Sequence, residues 1–363
     1  MSCSNLNDVN VKNRNGVIDM IRGIAIIMVF FVHYGQTFDN PIITRFGQMG
    51  CQLFIMLSGY TCSMSLDKDK GLSNFYKKRY ESISFGYYTM LVVIVSLNLW
   101  CKKMYTQPFI GEGHTGIGAV GCNFLLIHGL LPFCNNNVFP GGWFIGTIVL
   151  LYLIHPSVVW LMNRAKRKWA FALIVIMFMM FVTVIVNYYF HGNFKVMNND
   201  FSYFFFSNQM GCYLIGIYLY QSEKSAQTHK SIVVCGGLVL GLSIAIYLFY
   251  CNRKFSFIIL PTLIGMVGYL LYIILRKEQS GGSVYKGLCF IGKHSYIIYL
   301  VHTIVAWKCA QLARELLINW GILNNGLQFV ILLAPSIIFT MILAYILSQI
   351  IQVEKIIVRA WIR

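Results

Sequence analysis

The sequence predicts an all-α polytopic membrane protein of about ten transmembrane helices, with both termini in the cytoplasm. Three observations carry this expectation. First, 57% of the 363 residues are hydrophobic and only 11% are charged, against roughly 45–50% and 25% in soluble domains, and mean hydropathy is +0.65. Such a chain cannot cover itself with polar surface, which excludes a soluble enzyme and a disordered protein. Second, the apolar runs are about 18–22 residues long, which suits helices crossing a hydrocarbon core of roughly 30 Å. A β-barrel would need alternating strands of about ten residues, and the sequence offers none. Third, Lys and Arg gather in short clusters between the runs, as in Lys77-Lys78-Arg79 and Arg164-x-Lys166-Arg167-Lys168. With the N-terminus inside, basic residues on the inner segments outnumber those outside by more than two to one, the asymmetry of cytoplasmic loops.

The runs fall at 17–37, 47–66, 82–101, 142–162, 170–190, 203–221, 231–250, 255–275, 288–308 and 327–352, all within one domain, 1–363. Residues 1–16 are polar, and the run after them is too long for a signal peptide and lacks a small-residue cleavage site. The longest connection, 102–141, is the only one large enough to fold over a site. Its Gly111-Glu112-Gly113-His114 and Asn135-Asn136-Asn137 stretches read as an external lid or a re-entrant segment. No internal repeat suggests an inverted-repeat transporter.

The net charge of +17 invites a nucleic-acid reading, but its confinement to inter-span clusters argues against one. Several of the eleven cysteines, including Cys51, Cys62, Cys212, Cys235 and Cys289, fall in or beside apolar runs. They lack metal-ligand spacing and read as packing residues. Cys122 and Cys134 are the pair worth testing for a disulfide.

Ionisable groups inside a bilayer are costly and mark function by default. No carboxylate falls at mid-membrane, which weighs against a proton-coupled transporter. His33, His302 and His155 remain. In the first span, Arg22 and His33 are eleven residues apart, three helical turns plus about 20°, so they share a face at a separation of roughly 16 Å. Asp19 precedes Arg22 by three, where a carboxylate can hold a guanidinium. Alone, Arg22 would read as an interfacial anchor and His33 as a packing histidine. Aligned with Asp19, they point to a site.

Asp19-x-x-Arg22-Gly23 with its spacing to His33 resembles the acyltransferase 3 family of integral membrane acyltransferases, which modify cell-surface glycans. Four further stretches agree in order: Gly47 to Tyr60 with Ser58-Gly59; Phe75-Tyr-Lys-Lys78-Arg79-Tyr before Gly86-Tyr87-Tyr88; Pro140-Gly-Gly-Trp143-Phe-Ile-Gly146; and Gly292-x-x-Ser295-Tyr296-x-x-Tyr299-x-x-His302. Each is weak alone; five in register over 17–302 form a strong signal. One departure stands out. Many members carry a carboxylate five residues after the Trp, where this chain has Ile148, which leaves Glu112 as a substitute.

The resemblance implies an O-acetyltransferase of the plasma or inner membrane. Its donor would be cytoplasmic acetyl-CoA or another short acyl-CoA, with no metal, and its acceptor a glycan hydroxyl outside. Its catalytic residues would be His33, Arg22 and Asp19, with His33 as general base or acyl carrier. Arg22, Arg79 and Lys78 would bind the donor, and Trp143, Ser58, Tyr299 and His302 would support substrate or structure. Partners would be the acyl-CoA, the glycan and membrane lipid, without nucleic acid. The oligomeric state is not legible. From another class, a glycan transporter or flippase fits ten spans and a basic inner surface. An export partner with a degenerate fold would have lost the Asp19–Arg22–His33 row, which is intact.

Overall fold

A computed structural model describes residues 3–69, 71–101, 116–132, 134–190, 195–196, 199–224, 256–277 and 281–362. The expected span 231–250 and Glu112 lie outside these residues. In a medium without water every backbone donor must be satisfied within the chain, and the described residues are almost entirely helical. The helices are α1 (Cys3–Thr37), α2 (Pro41–Gly47), α3 (Met49–Lys68), α4 (Leu72–Trp100), α5 (Ile117–Phe124), α6 (Gly142–Arg164) and α7 (Lys168–Phe190). They continue as α8 (Phe201–Phe204), α9 (Phe206–Lys224), α10 (Ser256–Lys277), α11 (Ser283–Lys293), α12 (Ser295–Thr303), α13 (Ala310–Asn319) and α14 (Asn325–Ile362). A two-residue antiparallel pair, Lys195–Val196 with Asn199–Asp200, precedes α8.

Seven helices among the described residues are long and apolar enough to cross a membrane: Gly16–Thr37, Leu72–Trp100, Gly142–Arg164, Lys168–Phe190, Phe257–Arg276, Ser295–Asn319 and Asn325–Ile357. The protein is therefore a multi-pass membrane protein. Helices α3 and α9, expected as spans, reach the length but not the apolarity. They pack against each other and carry interior polar groups such as Gln52, whose amide donates to the Tyr203 hydroxyl at 3.1 Å. Apolar side chains of α7 and α14, such as Ile174 and Val330, stand outward, where lipid would cover them.

Two expected spans have different shapes. The third begins at Leu72 rather than 82, so Lys77, Lys78 and Arg79 ride on α4 itself, and the helix kinks at Phe85-Gly86, where Gly86 takes φ 86°. That left-handed conformation is cheap only for glycine. The ninth splits at His294: α11 is a separate helix ending at Lys293, and the spanning segment starts at Ser295. Lys293 is thus outside a span.

The Gly23 and Gly292 motif residues explain each other. A Cβ on Gly292 would run into the Asp19 carbonyl, and one on Gly23 into the Leu288 carbonyl; small residues let α11 lie directly on α1. Gly292→Ala is expected to lower stability by about 1–3 kcal/mol through overpacking. Gly287→Ala on the same helix, with nothing within 4 Å of the added Cβ, should be neutral or stabilising. Thermal melts in detergent compare the two.

Candidate active site

Helix α1 sets the site out along one face, as its period requires. Toward the N-terminal part of its apolar stretch the Arg22 guanidinium lies 3.7 Å from the Asp19 carboxylate, the expected i, i+3 pair. Arg22 opens onto a polar cavity of about 450 Å³ that also meets Asp19, Lys68, Asp69, Lys78 and Arg79. Lys78 donates to Asp69 and so holds that carboxyl below its ordinary range. A second cavity, about 220 Å³, runs from Arg22 and Arg79 past Ser58 and Tyr152 to Tyr299. Both cavities are lined by Arg22, Thr61 and Arg79, so they meet at two guanidiniums. The Arg79 guanidinium is steered inward by aromatic faces, 5.7 Å from the Phe75 ring and 5.8 Å from the Tyr152 ring. The walls beyond are apolar, among them Phe54, Phe144, Ile145 and Ile148. Ile148, five residues after Trp143, therefore contributes hydrocarbon to the channel.

Tyr299, at the far end of that cavity, has its ring 5.2 Å from His302, and the rings of His302 and His33 are 5.1 Å apart. The structure thus brings together two histidines separated by 268 residues of chain. The Nδ1 of His302 lies 2.5 Å from the Tyr299 carbonyl. A carbonyl only accepts, so Nδ1 carries the proton and Nε2 keeps a lone pair. That Nε2 is buried without a hydrogen-bond partner among the described residues, as is the Nδ1 of His33. Each unpaired buried polar atom costs about 1–3 kcal/mol, which a binding site can bear when its ligand supplies the missing bond.

The backbone around the pair is irregular. Directly after Thr303, residues Ile304–Cys309 form a π-helical turn, a feature frequent at functional sites. The Thr37 hydroxyl, 3.0 Å from the carbonyls of both His33 and Ala306, ties that turn to α1. Arg314 caps the end of α1, donating to the Thr37 carbonyl at 2.6 Å and to Gln328 of α14 at 3.1 Å. A cation there also complements the negative end of the helix dipole.

The other expected residues divide. Ser58 faces the channel, while Gly59 packs against the Tyr213 backbone of α9. Trp143 sits among aromatics, 5.0 Å from the Phe204 ring and 6.2 Å from Tyr203, as a packing residue of α6. His155 is fully buried inside α6, stacked on Phe75 and bonded through Nδ1 to the Tyr213 hydroxyl at 2.8 Å. Cys122 and Cys134 are both free thiols. The sequence reading did not assign Thr61, Lys293 or Arg314. Thr61 and Lys293 line the channel, and Arg314 ties the end of α1 to α14.

No curated protein and no solved structure matches this chain. A family model described as an acyltransferase domain, that of acyltransferase 3, matches residues 15–347, which takes in every residue of the channel and both histidines. Nearly the whole chain is thus one acyltransferase domain, and the protein belongs to the acyltransferase 3 family.

Proposed function

We propose that this protein is a membrane-bound O-acyltransferase of the plasma or inner membrane. It moves an acyl group, acetyl in the simplest case, from cytoplasmic acyl-CoA to a hydroxyl of a cell-surface glycan. The observation that carries this reading is the path from the cationic cavity, through the Arg22–Arg79 junction, to Tyr299 beside the histidine pair. Arg22 and Arg79, with Lys78 at the mouth, bind the donor's phosphates; guanidiniums hold oxyanions with a rigid fork of donors. The apolar channel takes the pantetheine arm, whose extended length is comparable to the roughly 16 Å of helix rise between Arg22 and His33.

In the transfer step His33 takes the proton of the acceptor hydroxyl, and its oxygen attacks the thioester carbonyl. The carbon–sulfur bond breaks, the ester forms, and the proton taken up by His33 passes to the departing CoA thiolate, which restores the neutral base. His302, whose free Nε2 also accepts, completes the pair. No carboxylate beside the histidines is required. Asp19 holds Arg22 in place, as a positioning residue.

The experiment is transfer by the purified protein in detergent, with radiolabelled acetyl-CoA and de-O-acylated envelope polysaccharide. Stoichiometric label in the polysaccharide with release of CoA supports the reading. Uptake of the glycan into proteoliposomes without acylation overturns it in favour of transport.

The reading also requires ten spans, with both termini inside and the 102–141 connection outside. Reporters at Lys68, Lys166 and Lys277 should give cytoplasmic signals. Asn136 is too buried for labelling, so Gly118→Cys, an open position, should label from outside. An inner signal at residue 118 would place the donor mouth on the wrong side.

A further inference from the structure

The segment between α5 and α6 turns into the protein. His128 is fully buried, bonded through Nε2 to the Gly142 carbonyl at 2.9 Å and stacked on Tyr87. The chain then brings Asn135 and Asn136 inside, each 1% exposed. None of their four amide nitrogen and oxygen atoms has a hydrogen-bond partner among the described residues. The segment closes on the helix that carries His302. The Gly141 carbonyl accepts from the Tyr299 hydroxyl, and a Cβ on Gly141 would stand 3.7 Å from Cγ2 of Thr303. The Asn135 carbonyl is 3.6 Å from the corresponding position on Gly142. The Thr303 hydroxyl is itself buried and unpaired, beside the free His302 Nε2 in sequence.

Native interiors hold only a few unpaired buried polar groups per hundred residues, and each calls for an explanation. Here seven atoms of His33, Asn135, Asn136, His302 and Thr303 lack partners. They are uncharged at the amides and the hydroxyl, and they mix donors with acceptors. That set does not suit a phosphate, which calls for cations. It suits adjacent hydroxyls, each of which donates and accepts at once.

We infer that Asn135 and Asn136, with Thr303, form the acceptor subsite: they hold neighbouring hydroxyls of a neutral sugar ring and turn one of them toward the histidine pair. This rests on the proposed transferase reading. The acceptor's hydroxyls supply the bonds that the Asn135 and Asn136 amides lack. The asparagines specify the acceptor and leave the donor alone, because the acyl-CoA path reaches Tyr299 from the opposite end.

The test measures steady-state transfer to de-O-acylated envelope polysaccharide, together with thermal melts, for the parent, Asn135→Leu and Asn136→Leu. Leucine fills the amide's volume and removes an unpaired polar group, so the melting temperature should hold or rise. The KM for the polysaccharide should rise at least tenfold, with the KM for acetyl-CoA within twofold of the parent's. Should either leucine variant fail to fold, the corresponding serine variant carries the same expectation at a smaller size. A folded variant with unchanged polysaccharide KM overturns the subsite, with water as the partner of the amides, and so does a matched loss for donor and acceptor. Absence of transfer by the parent overturns the transferase reading beneath it.

Discussion

His33→Gln should reduce acyl transfer by roughly 10²–10⁴-fold, the contribution typical of a positioned acid–base group, while acetyl-CoA binding stays within twofold. Glutamine keeps a hydrogen-bonding side chain of similar reach but has no basic nitrogen at neutral pH. The substitution therefore separates a histidine that moves a proton from one that only fills space. The ring is buried and faces His302 at 5.1 Å, so a melting curve is needed to show that the variant folds. If the folded His33→Gln protein keeps more than a tenth of the parent turnover, His33 is a packing residue. The proton then falls to His302, whose tautomer already leaves Nε2 free.

Arg22→Ala should weaken acetyl-CoA binding about tenfold to a hundredfold, from the loss of a charge-assisted hydrogen bond worth roughly 1.5–3 kcal/mol. Arg22→Lys should recover only part of it, since an ammonium cannot reproduce the guanidinium's fork. Arg79→Ala should act in the same direction, because both cavities touch both residues. A further expectation follows from the coupling of the two: the double variant should lose less than the sum of the single losses if both bind one phosphate group. Isothermal titration with acetyl-CoA reads the four variants against the parent. Parent-like affinity in Arg22→Ala would make Arg22 an interfacial anchor held by Asp19.

The part of the site written on one helix was legible. Asp19, Arg22 and His33 declare themselves because a 3.6-residue period turns sequence spacing directly into a shared face, and the 3.7 Å ion pair follows from it. The contact of His33 with His302 was not legible as a distance, since nothing in the 268 intervening residues encodes which helices meet. The channel walls were hidden for another reason. Phe54, Ile145 and Ile148 face a cavity, but apolar residues that face lipid carry the same hydropathy. Arg79 and Lys78 look alike in a basic cluster. Only the fold separates the guanidinium aimed between Phe75 and Tyr152 from the ammonium paired with Asp69.

Span boundaries were legible where lipid alone sets them, as in α7, and failed where protein covers protein. The break at His294 sits inside an apolar run because α11 packs along α1 through Gly292 and does not continue α12. The Asn135-Asn136-Asn137 run reads as part of an external lid or a re-entrant segment. The chain buries two of the three, which local propensity cannot foresee.

The measurement that bears most directly on the whole account is a cryo-electron-microscopy structure of the protein in a lipid nanodisc with a non-hydrolysable acetyl-CoA analogue. The account predicts the analogue's phosphates at Arg22 and Arg79 and its arm along Ser58 and Tyr152. The acyl carbon should arrive at His33 and His302 near the roughly 3–3.5 Å separation of a reactive encounter. An analogue bound elsewhere, or one whose acyl end stops in the cationic cavity with the histidines closed off, would contradict it.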